Sequence, residues 1–186
     1  MPKPAVPAAF ALVLAMTAAI PAFAHEFNLL LLAPAGATEA EMQDMRSAFL
    51  IASRERDGHA DETSEGHLGG IDVQMELARL DQAGGDPATA FVLAPFAPAD
   101  DPAVAALAAP GNAVVVGTDT LDIVPESVLG AAGGTAAFAD RFMAETGRSP
   151  GPGAIATYRA ARAVDLAVRP LGSVDDRGAL RRGLRR

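Results

Sequence analysis

Phe27-Asn28-Leu29-Leu30-Leu31-Leu32-Ala33-Pro34, followed shortly by Thr38-Glu39-Ala40-Glu41, is the stretch on which the fold turns. The apolar run from Phe27 to Leu32 has no polar alternation beyond Asn28 and stops at Ala33-Pro34, as a strand buried on both faces does. Thr38 with Glu41 three positions later is a capping box, so a helix opens there. Met42, Met45, Phe49 and Ala52 recur at helical spacing, which gives that helix one buried face through about Arg56. A doubly buried strand feeding an amphipathic helix is the opening unit of an α/β layer.

The pattern continues outward from this unit. A polar loop, Asp57 to Gly66, leads to Ile71, Val73, Met75 and Leu77, which alternate with Asp72, Gln74, Glu76 and Ala78. That is the period of a strand with one more exposed side. Gly84-Gly85-Asp86-Pro87 turns the chain, Ala90 to Leu93 is a third strand, Asp101 to Ala109 a short helix, and Ala113 to Val116 a fourth strand. The second half is helical: Phe138, Phe142 and Glu145 share a face, and Gly147 stops that helix before Pro150. Gly153 to Arg169 is a helix lined by Ala156, Ala160, Ala163 and Ala167, and Ser173 to Asp176 caps a last helix through Leu184. The expected fold is a doubly wound α/β layer, with a mainly parallel sheet and helices on both faces.

Before this domain, Lys3 precedes the apolar run Ala8 to Ile20, Pro21 breaks it, and Ala22-Phe23-Ala24 offers small residues where a signal peptidase reads. The order is that of a cleaved secretory signal, residues 1–24, and the run is shorter than the ~20 residues a membrane span needs. The expected product, residues 25–186, begins at His25 and works in the periplasm. Its length suits one domain, and with 50% apolar residues it can bury a core. There is no cysteine, hence no disulfide and no thiolate chemistry. The formal charge of −8 becomes −9 without Lys3, and the remaining bases are arginines gathered towards Arg181, Arg182, Arg185 and Arg186. An acidic chain with one basic tip argues against nucleic acid, which needs a broad basic face.

The stretch Phe138 to Leu184 resembles the end of type I periplasmic solute-binding proteins of the branched-chain amino acid ABC-transport family. The features are Phe138, Phe142, Gly147, Pro150, Tyr158, Ala160, Gly172, Asp175 and Leu184. The N-terminal half is similar too, through Pro34, Gly36, the long helix, and a Gly-rich loop at Leu68-Gly69-Gly70-Ile71 leading into the second strand. Ala94-Pro95 resembles the family's Gly-Pro at a ligand-contacting turn. The resemblance implies a non-enzymatic binding protein with no cofactor and a ligand at the strand carboxyl ends. It places ligand contacts at Ala97, Asp100 and Asp101 after the third strand, and at Thr118, Asp119 and Thr120 after the fourth. The implied partners are a small solute such as an amino acid, an ABC permease, or a periplasmic protein.

Departures from the family shape the expectation. Relatives clamp the ligand between two lobes, whereas here the fourth strand passes through Thr118 to Gly134 straight into the returning segment. One lobe offers one wall, so a homodimer or a partner would supply the other. Where relatives place hydroxyls, Asp100 and Asp101 would repel a carboxylate. An accessory protein of a periplasmic enzyme system, with solute binding lost, is therefore the alternative. A metal-binding protein is a further one, resting on His25, His59 and His67 with Asp61, Glu62 and Glu65, although their spacing matches no established signature. No serine lies in a G-x-S-x-G context, and no nucleophile, acid and base can be assembled.

Overall fold

The structure is a computed structural model and describes residues 26–55, 66–121 and 134–185. The leader, its cleavage site, His25, His59 and the acids at 61, 62 and 65 lie outside the described residues. The elements in chain order are β1 (Glu26–Ala33), α1 (Glu39–Arg54), β2 (His67–Leu68), β3 (Ile71–Arg79), β4 (Thr89–Ala94), α2 (Pro102–Ala108), β5 (Val114–Gly117), α3 (Thr118–Leu121), α4 (Gly134–Thr146), α5 (Pro152–Val168) and α6 (Arg177–Gly183). The sheet order is β2-β3-β1-β4-β5. β1 runs parallel to both β3 and β4, and β4 runs parallel to β5. Among the described strands only the two-residue β2 is antiparallel. The fold is thus the expected α/β lobe, and none of its described helices is long and apolar enough to cross a membrane.

β1 sits at the centre because it can be buried on both sides. Leu29, Leu31 and Ala33 join the larger core with α1, α4, α5 and α6, while Leu30 and Leu32 join a second core under α2. Thr38 and Glu41 form the expected capping box. The Glu41 backbone N–H donates to the Thr38 hydroxyl at 3.2 Å, and the Thr38 N–H donates to the Glu41 carboxylate at 2.8 Å. The Thr38 N–H and the Thr38 hydroxyl, both donating to the Glu41 carboxylate, hold it below its usual range.

Three details depart from the sequence reading. The Gly-rich stretch before the second expected strand is a hairpin, with Gly69 (φ +68°) and Gly70 (φ +85°) turning β2 into β3. α1 ends at Arg54, slightly earlier than expected. The helices cover the two sheet faces unequally. β3 and β4 flank β1 on opposite sides, yet residues 80–88 cross between them with no helix, so among the described helices α2 alone packs its side chains on the second face. Asn28, Gln74 and Glu76 face the uncovered part, which explains the polar half of β3.

Beneath α1 and α5 lies a buried ionic network that local sequence patterns do not announce. Arg162 is fully buried between Glu55 (Nε–Oε2 3.8 Å) and Asp165 (Nη1–Oδ2 3.1 Å). Arg141 pairs with Glu55, and Arg169 pairs with Asp165 at 2.6 Å. The Gly69 backbone N–H also donates to Asp165 at 2.8 Å, which ties the β2–β3 hairpin to α5.

Tyr158 completes this network. It is fully buried, stacks on Phe138 with ring centroids 4.2 Å apart, and donates its hydroxyl to Glu55 at 2.9 Å. Burial, then the hydrogen bond to Glu55 and the charge of that carboxylate, push the phenol up to about 12 from 10.0, against the opposing effect of Arg162 and Arg141. Because the folded value lies above the unfolded one, the phenol's contribution to stability is complete below pH 10 and is lost as pH rises through about 12. Tyr158 is the only tyrosine and there is no tryptophan, so phenolate absorbance reports this group alone. The expected titration midpoint is near 12 while the protein is folded and near 10 in denaturant. Equal midpoints in the two conditions would show that Tyr158 is not held as described.

Candidate functional site

In an open α/β sheet the ligand crevice lies outside the strand carboxyl ends, where the chain switches from one side of the first strand to the other. Here that point is between β1 and β4. A crevice of about 570 Å³ opens there, bounded by Pro34, Gly36 and Ala37 after β1, by Glu41, Asp44 and Met45 of α1, by Pro95 and Phe96 after β4, and by Gly151 to Ala154 and Ala156 at the start of α5. A shallower groove of about 370 Å³ continues towards β5 along Thr118, Leu121, Ile155 and Arg159, sharing Pro95, Pro152 and Ala156.

The lining is mostly apolar, and its two acids already have partners. Glu41 closes the α1 cap, and Asp44 pairs with Arg148. α5 enters the crevice differently from α1. Its cap residue is Gly151, with no side-chain bond, and Pro152 opens the helix. The first amides of any helix have no partner within the helix; in α1 Thr38 accepts one of them, the Glu41 N–H, whereas α5 has no side-chain cap and, after Pro152, begins its backbone donors at Gly153.

Half of the six residues expected to hold a ligand are occupied in holding the chain. Ala97 is buried and its carbonyl accepts the Thr118 N–H at 2.9 Å. Asp101 caps α2 by accepting the N–H groups of Ala103 and Val104, as its place before that helix suggests. Asp119 accepts the Ala99 N–H at 2.9 Å and so ties the loop after β4 to the end of β5. Asp100 is exposed and lines neither the crevice nor its extension. Thr120 is buried and lines a separate hollow beside β5. Of the six, only Thr118 reaches the groove. Gly117 explains the tight join: a Cβ there would lie 2.5 Å from the Ala99 nitrogen and 2.7 Å from the Ala97 oxygen.

Of the strand-end loops expected from the sequence, Pro34, Gly36, Ala37, Pro95 and Phe96 line this crevice, and so do the α5 start and Met45, which were not among the expected contacts. Gly151-Pro152-Gly153 ahead of a small-residue helix was the available signal, since such a start lets backbone approach a neighbour or a ligand closely. His67 is engaged by Asp72, its cross-strand neighbour, with Nε2–Oδ1 at 2.8 Å. Among the described residues no group of three or more His, Asp or Glu side chains is arranged to hold a metal ion.

Against known proteins, no family model, no curated protein and no solved structure matches this chain.

Proposed function

We propose that this chain is a non-enzymatic, exported binding lobe that takes a small solute at the β1/β4 crevice, in the manner of the solute-binding components of branched-chain amino acid transporters. The observation that carries the reading is the crevice itself. It lies at the switch point, is lined mainly by apolar groups, and receives the uncapped start of α5. Such a lining suits a solute with an aliphatic body and a hydrogen-bond-accepting or carboxylate end, because apolar walls supply affinity and a few donors fix orientation. The export signal and the resemblance of Phe138 to Leu184 support the periplasm and a transporter partner. The described residues give one wall, and in this reading another molecule supplies the other.

The test uses Gly36. It lines the crevice, and a Cβ added there meets nothing within 4 Å, so Gly36→Phe fills the site without disturbing the fold. The wild-type protein is expected to melt higher with an aliphatic amino acid or short organic acid. At a concentration ~100 times the dissociation constant the gain is about 2.7 kcal/mol. Gly36→Phe should melt at the same temperature as wild type without ligand and lose the ligand-induced rise. A ligand rise that survives Gly36→Phe would place binding elsewhere.

A second reading, an accessory protein of a periplasmic enzyme system, is favoured by one observation: Asp101, Asp119 and Ala97 are spent on internal bonds rather than on a ligand. In that case no metabolite raises the melting temperature, and a stoichiometric partner captured by the wild type is lost in Gly36→Phe.

A further inference from the structure

Among the described residues, β5 is the terminal strand of the sheet, and the backbone groups on its outer side have no strand to bond among them. Its run Val114-Val115-Val116 pairs with β4 in continuous register and, though β5 is only four residues long, has no lysine, proline or bulge to blunt it, three of the devices by which exposed edges avoid pairing. Beside it, α2 has no polar side chain along Pro102–Ala108, although Pro102, Ala103, Ala105 and Ala106 are exposed. A helix that is apolar all round is ordinarily covered. A trough of about 610 Å³ follows β5 between α2 and α6.

The two ends of this edge carry opposite charge. At the start of β5, Arg181 donates to the carbonyls of Asn112 (3.0 Å) and Ala113 (3.2 Å), with Arg185 one turn on. At the far end, just after Gly117, stands the exposed Asp119.

We infer that the edge is covered by a second copy of this chain, with β5 antiparallel to β5 about a two-fold axis. A two-fold interface must be self-complementary. Antiparallel pairing meets that condition, because it sets the basic start of each strand against the acidic end of the other, Arg185 facing Asp119 of the partner subunit. The alanines of α2 keep its outer face low and let it approach its counterpart. The product is one continuous sheet made of two five-stranded halves. The strand carboxyl ends of the halves then point in opposite directions, so the two crevices open at opposite ends and neither subunit closes the other's. The pairing is therefore independent of the solute reading, and it assigns the missing wall to a different molecule.

Sedimentation of the purified protein over a wide concentration range should show a monomer–dimer equilibrium. Val115→Lys on the edge and Ala105→Lys on α2 should each raise the dissociation constant by about tenfold or more. Ala105 is exposed and lysine is a good helix former, so the second variant keeps its fold and melting behaviour even if the first does not. Arg185→Glu should weaken the dimer most at low salt, where charge pairs are least screened. A strictly monomeric wild type, or a dimer indifferent to both lysine substitutions, overturns the inference. Slow hydrogen exchange in a monomeric sample at those Val114–Gly117 amides that do not bond β4 overturns it too, since the chain itself would then cover the edge.

Discussion

Replacing Asp165 with alanine is expected to lower the unfolding free energy by about 3–5 kcal/mol, the usual cost of removing one partner from a buried ion pair. Asp165 is 1% exposed and serves three groups: Arg162, Arg169 and the Gly69 backbone N–H. Without it, the fully buried Arg162 guanidinium keeps only Glu55, at 3.8 Å, and the hairpin amide loses its acceptor. A typical domain has only about 5–15 kcal/mol in hand, so the variant is expected to be marginal at growth temperature. Asp165→Asn retains an oxygen for Gly69 while removing the charge, and should fall between alanine and wild type. Denaturant titration reads the effect as a lower midpoint at unchanged slope. A loss under about 1 kcal/mol would mean that water already reaches the network.

Gly69→Ala is expected to cost about 2–5 kcal/mol, from two separate causes. Gly69 holds φ +68°, a conformation that costs an L-residue about 1–2 kcal/mol. A Cβ there would also lie 2.6 Å from two Val168 side-chain atoms and 2.8 Å from the Arg169 nitrogen, and such overpacking typically costs a further 1–3 kcal/mol. Because the Gly69 N–H bonds Asp165 directly, the double variant should lose less than the sum of the two single losses. Strict additivity would show that the hairpin is not anchored through Asp165. Neither residue touches the crevice, so both variants probe the frame on which the site rests.

The network explains why these two positions were illegible in the sequence. Glu55, Arg162 and Asp165 read locally as ordinary charged helix residues. Their burial follows only when α1 and α5, more than a hundred positions apart for the Tyr158–Glu55 bond, pack face to face. In the same way, Asp101 was legible as a cap from its place before a helix, yet Asp119 as a tie to Ala99 required β4 and β5 to lie side by side. The α5 start became part of the crevice for the same reason, because the final long helix returns across the ends of strands laid down early in the chain.

What the sequence determined by itself was whatever depends on near neighbours. Apolar runs specified the parallel strands, the Thr38–Glu41 box and Asp101 specified helix starts, Gly147 specified a helix end, and their alternation specified an α/β layer. What only the tertiary structure decided was which side chains meet across the layer. It buried Arg162 between two acids, committed His67 to Asp72, turned Ala97, Asp101 and Asp119 into internal ties, and set β5 last in the order of the described strands. The physical reason is range: caps, turns and periodicity act within a few residues, whereas a site and an ion network depend on which distant elements come into contact.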